Sequence, residues 1–143
     1  MKRLASMVLL LVASSLLLAA NGPGPITVGW NTLKTLDDSH PNSPANALNN
    51  KLVAVPGFMV PFEDDADQVT EFLLVPFAGA CIHVPPPPPN QMIYVKLDRN
   101  QKARMTFTDP IMVTGHIHVM NVDSPYGNVS FSMDGDSVKP YEQ

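Results

Sequence analysis

Five consecutive prolines, Pro85, Pro86, Pro87, Pro88 and Pro89, interrupt the middle of the chain, and proline makes up 15 of its 143 residues. That is roughly twice ordinary usage. A proline inside a helix removes a hydrogen bond and collides with the preceding turn, so prolines spread this widely leave little room for long interior helices. The chain is therefore expected to be mainly β. Its length suits one small domain once a leader is removed. Nine Lys+Arg stand against 13 Asp+Glu, a formal charge of −4. Without Lys2 and Arg3 the balance is seven against 13, or −6. A general nucleic-acid binder needs clustered basic side chains to displace phosphate counterions, and this balance argues against one. The single cysteine, Cys81, excludes an intramolecular disulfide.

Residues 1–20 read as a secretory signal: Lys2 and Arg3 precede the apolar run Met7 to Ala20, which is shorter than the roughly 20 residues a bilayer span requires. The expected product is periplasmic or secreted, with no stable membrane insertion after cleavage. A retained signal-anchor is the alternative, because Leu18 departs from the small residue preferred before a cleavage site at Ala20. Residues 21–50 read as an arm or linker, rich in Pro and Asn, in which the only tryptophan, Trp30, is expected to dock onto the body.

From residue 51 to 143 the periodicity is that of strands. Lys51 to Pro61 forms one, bent or bulged at Pro56-Gly57, and Glu71 to Phe77 pairs with it as a hairpin. Met92 to Leu97 alternates, and the segment from Asp98 to Arg104 suits a turn or one loop of helix. The strongest alternation follows Pro110, with Ile111, Val113, Gly115, Ile117 and Val119 on one face and Met112, Thr114, His116, His118 and Met120 on the other. Val129, Phe131 and Met133 give a last strand, with Asp134-Gly135-Asp136 as its closing turn. Five or six such strands suit a small barrel of the oligonucleotide/oligosaccharide-binding (OB) type with an extended N-terminal arm, or a small β-sandwich.

Two pairs carry possible chemistry. Cys81 and His83, and His116 and His118, are spaced i, i+2, which in extended backbone sends both members of a pair to one face. Ile82 and Val84 would then turn inward. If the two segments adjoin, four ligands suited to zinc or copper converge. The alternative has Cys81 as a buried small hydrophobe and the histidines as polar residues on a solvated face. A cysteine-dependent enzyme is a weaker reading, because no orienting context surrounds Cys81. Pro85 to Pro89, with Asn90 and Gln91, is either a rigid strut or a preordered ligand for an aromatic groove. The acidic stretch Glu63, Asp64, Asp65 and Asp67 is a solvated turn before it is a calcium loop.

The stretches Leu52 to Pro61, Glu71 to Pro76 and above all Gly79 to Gln91 (GACIHVPPPPPNQ), together with Trp30, resemble a family of small exported bacterial proteins, some lipidated, known as a domain of unknown function. The resemblance implies company with an ABC-type envelope transporter component and with metal homeostasis, and it transfers no catalytic residue. It also marks Cys81, His83, Pro85 to Pro89, Asn90 and Gln91 as the defining stretch. Unlike lipidated members, this chain has no cysteine at the end of its signal. The expectation is an exported binding or accessory protein and not an enzyme. It would handle a transition metal through Cys81, His83, His116 and His118, or dock a transporter component through its proline loop or sheet edge.

Overall fold

A computed structural model describes residues 22–37, 39–63, 65–80, 84–98 and 100–142. The signal expected at residues 1–20 lies outside the described residues. The fold is mainly β, with one six-stranded mixed sheet and a two-stranded accessory ladder. In chain order the elements are β1 (Ile26–Thr27), the single-turn helix α1 (Trp30–Leu33), β2 (Lys51–Pro61), β3 (Gln68–Val69), β4 (Glu71–Val75), β5 (Ile93–Leu97), β6 (Ala103–Arg104), β7 (Ile111–Ser124) and β8 (Gly127–Pro140). Short 3-10 turns span Asn46–Leu48 and Pro89–Gln91.

The long strand β2 changes partner along its length. Lys51 to Gly57 pair antiparallel with β7, and Phe58 to Pro61 pair antiparallel with β4. The change falls at the Pro56-Gly57 step. A Cβ on Gly57 would lie 2.7 Å from the Val75 carbonyl oxygen, so only glycine admits the close approach of β4 there. Trp30 Nε1 donates to the Pro56 carbonyl oxygen at 2.7 Å, holding the arm against the same point.

From β4 the pairing runs antiparallel to β5, parallel from β5 to β8, antiparallel from β8 to β7, and back to β2. β1 adds a parallel edge beside Val53 and Ala54. Inside this cycle lies the main core, where Val55, Phe72, Ile93, Val113, Ile117 and Phe131 are all fully buried. Val28, Leu33, Ala45 and Leu48, from the segment before β2, belong to the same core.

The apolar run of β4 is continuous because this strand is buried on both faces. Phe72 and Leu74 enter the main core, while Leu73 and Val75 join a second cluster with Val60, Ala80, Met92 and Val129. On β5 and β7 the alternation expected from the sequence holds. Ile93, Val95 and Leu97 are buried with Tyr94 and Lys96 turned the other way, and Ile111, Val113, Gly115 and Ile117 are buried while His116 is exposed.

Three local expectations are corrected. Asp134-Gly135-Asp136 lies inside β8 and not in a turn; the β7–β8 turn is Pro125-Tyr126, between the paired Ser124 and Gly127. The mid-strand glycine has a different purpose. A Cβ on Gly115 would lie 2.2 Å from the Asp134 carbonyl oxygen, and Gly115 pairs with Gly135, so the two backbones meet where neither residue carries a side chain. Of the turn or helical loop expected from Asp98 to Arg104, the turn forms, with the Gln101 N–H donating to the Asp98 carbonyl oxygen, but Ala103 and Arg104 continue as β6 against β3. Val84, expected to turn inward, is 47% exposed.

Candidate functional site

Residues of β7 and β8 that point away from the core build the histidine face. His116 sits directly across from Asp134, and His118 from Ser132. His118 Nε2 lies 3.0 Å from Asp134 Oδ2, and its Nδ1 lies 2.8 Å from Asn50 Oδ1. Asn50 reaches this position through a left-handed backbone (φ 61), which asparagine tolerates better than most residues, and its N–H donates to the Ile117 carbonyl oxygen. A neutral His118 ring satisfies the same geometry if the Asn50 amide is turned so that its nitrogen faces Nδ1. His116 Nδ1 is 3.9 Å from Asp136 Oδ2, with both side chains about half exposed. Ion pairs this exposed contribute little, about 0–1 kcal/mol each.

Of the four residues expected to share a metal, His116 and His118 lie on one outward face, as their spacing requires. Cys81 and His83 lie outside the described residues. Their described neighbours do not share an environment: Ala80 is buried in the second cluster and Val84 is exposed, although the two form a parallel bridge. Among the described residues no group of three or more His, Cys, Asp or Glu is placed to hold a metal ion. His118 already has a partner at each ring nitrogen.

The proline stretch has more to show. Pro87 is buried while Pro85, Pro86, Pro88 and Pro89 are exposed. Pro88 has φ −56 and ψ 152, close to polyproline II, and its carbonyl accepts from the Gln91 N–H as the chain turns toward β5. Asn90 Nδ2 donates to the Lys34 carbonyl oxygen, tying the stretch to the end of α1. Pro88, Pro89 and Asn90 form one wall of a cleft of about 390 Å³, with Val119, Met120 and Asn121 of β7, Ser130 of β8 and Leu36 as the rest of its lining.

That cleft lies where β7 bulges. Val119 pairs with Phe131 and Val122 with Val129, so Met120 and Asn121 together face the single residue Ser130. The sequence carries a signal for this that simple alternation overlooks. Val119 and Val122 are three apart in a strand whose preceding core-facing positions, Ile111, Val113, Gly115, Ile117 and Val119, are two apart. A second slip, from Gly135 to Val138, marks the bulge at Asp136, which is left over between the pairs Thr114–Ser137 and Gly115–Gly135.

A further network joins β4 and β5. The Tyr94 hydroxyl donates to Glu71 Oε2 at 2.6 Å, and Lys96 Nζ lies 3.1 Å from Glu71 Oε1. The Tyr94 hydrogen bond holds the Glu71 carboxyl below its ordinary range, and the carboxylate in turn pushes the Tyr94 phenol up to about 12. Among the described residues no helix is long and apolar enough to cross a membrane.

The described residues thus form a mainly β domain with a proline-walled cleft beside a bulged strand. Residues 31–140 match the family model described as protein of unknown function (DUF3299), and the chain belongs to that family. It is also similar to the crystal structure of a DUF3299 family protein from Pseudomonas aeruginosa PAO1, at 34% identity and a TM-score of 0.67 over 84% of this chain and 98% of the other. No curated protein matches the chain.

Proposed function

We propose that this DUF3299 protein is an exported binding module, periplasmic or secreted, which docks an extended segment of an ABC-type envelope transporter component in the cleft between the proline stretch and the β7 bulge. The cleft is the observation that carries this reading. It joins residues that are distant in sequence, and its volume of about 390 Å³ lies within the range of small-ligand sites. Its chemistry suits extended backbone. The bulge interrupts the ladder at Met120 and Asn121, the exposed Pro88 and Pro89 offer apolar rings, and Met120, 52% exposed, supplies an adaptable apolar contact.

We further infer that the closed pairing cycle β2-β4-β5-β8-β7 is an OB-like barrel. Five strands, antiparallel pairing apart from β5–β8, and a core enclosed by the cycle support it. A photo-crosslinking residue at Met120, introduced in the protein's own host, tests the docking site, with one at the exposed Lys51 as control. An adduct with a transporter component from Met120 and not from Lys51 is expected. No adduct, or the same adduct from both positions, overturns the reading.

A further inference from the structure

A separate cleft of about 220 Å³ opens where the β2–β4 connection enters β4, and its lining is chemically mixed. Phe62 and Val69 are apolar, Glu63 and Glu71 accept hydrogen bonds, Lys102 donates, and Gln68 and Thr70 do both. Glu71 is already paired with Lys96, which lies outside the lining, so Glu63 and Lys102 are left as one charge of each sign within it, and the lining presents no run of a single sign.

The two residues that would fix a ligand's orientation are themselves fixed. Glu71 is held by Tyr94 at 2.6 Å and by Lys96 at 3.1 Å. Phe62 lies in a row of three aromatic rings, 5.3 Å from the Tyr94 centroid and 6.3 Å from that of Tyr126, whose hydroxyl donates to the Pro61 carbonyl oxygen. Held acceptors and a held aromatic ring lower the ordering cost of binding. Uncharged ligands that present many hydroxyls around an apolar ring face match this lining. Bases stack on aromatic rings too, but their phosphates need a basic groove that a chain of net charge −4 does not provide.

From this lining we propose that the cleft at Phe62, Gln68, Thr70, Glu71 and Lys102 binds a neutral oligosaccharide. On the OB-like reading proposed above it also lies beside the second strand of the cycle and the loop leading into it, a surface that folds of this type use for oligosaccharides. The lining chemistry stands without that reading, and the site is independent of the proline cleft.

Amide NMR titration of the full chain tests it, with cellotriose as a hydroxyl-only probe, N-acetylchitotriose as an acetamido probe and trigalacturonate as an anionic one. Shifts at Val69, Thr70, Glu71 and Lys102 with at least one neutral probe are expected, and the responding probe assigns the saccharide class. In a Gln68→Ala/Lys102→Ala variant, which alters two exposed side chains, affinity should fall roughly tenfold, the worth of a hydrogen bond to a charged group, while amides elsewhere keep their positions. Absence of shifts at these amides with both neutral probes, tighter binding of trigalacturonate, or unchanged affinity in the variant overturns the proposal. None of these outcomes bears on crosslinking from Met120.

Discussion

The two arcs of the main sheet treat their outward faces differently. On β4 the outer surface is covered, with Leu73 and Val75 fully buried beside Ala80, Met92 and the far end of the β7–β8 hairpin. On the middle of β7 and β8 it is bare, and His116, His118, Asp134 and Asp136 meet across the strands in solvent. Strand pairing runs without a break between β4 and β5, whereas the β7–β8 ladder shifts register twice. The stability at stake differs as well, because burial of a large aliphatic side chain outweighs an exposed ion pair severalfold.

Paired substitutions put that contrast at risk. Leu73→Ala removes a fully buried side chain from the covered arc and should cost about 2–5 kcal/mol in urea unfolding. His116→Ala, in the bare arc, should stay within about 0.5 kcal/mol of the parent. Equal costs would erase the distinction.

Next in size, Gly115→Ala forces a methyl group to within 2.2 Å of the Asp134 carbonyl oxygen. It should cost about 1–3 kcal/mol, and slowed loss of the neighbouring β7–β8 amide protons in hydrogen exchange would contradict it.

A smaller and pH-dependent effect belongs to the Glu71–Tyr94 pair. Glu71 has a folded pKa below its unfolded 4.5, so its contribution is present above that value and is lost as pH falls through the lowered one. Asp37 acts in the same direction, lowered to about 2 by hydrogen bonds from Ser39 and His40. Tyr94, raised to about 12, gives a contribution that is complete below its unfolded value of 10 and is lost as pH rises through 12. Glu71→Gln should flatten part of the acid limb and bring one late-titrating tyrosine, seen by tyrosinate absorbance, back toward 10. An unchanged tyrosine titration would show that the pair does not hold in solution.

The smallest effect is expected on metal binding. Ligation by His118 must displace Asp134 or Asn50, so equilibrium dialysis should leave less than one equivalent of zinc or copper bound, unchanged by His118→Ala. One equivalent bound by the parent and lost in a Cys81→Ser/His116→Ala variant would instead establish the four-ligand site.

Much of this division can be read in the chain and part of it cannot. The unbroken apolar stretch of Phe72 to Val75, set against the alternation after Pro110, already separates a strand covered on both sides from one covered on one side. The two three-residue slips, Val119 to Val122 and Gly135 to Val138, record both bulges. Asp134-Gly135-Asp136 misleads because its residue types are those of a turn, whereas a Cβ on Gly135 would lie 2.7 Å from Leu97 Cδ2, so the glycine makes room for β5. Glu71 and Tyr94 are separated by 23 positions, and Phe62 and Tyr126 by many more. No local pattern announces that either pair will meet.

The sequence by itself therefore determined the central runs of β2, β4, β5, β7 and β8, which side of β5 and β7 enters the core, and that long helices are excluded. These follow from proline placement and side-chain periodicity, which act within a few residues. Only the tertiary structure decided that β2 would divide its length between β7 and β4, that β5 and β8 would run parallel, and that Pro88 to Asn90 would face Met120 across a cleft. Those choices depend on register and close approach between segments far apart in the chain, where the energy of a pairing is shared by both partners and belongs to neither alone.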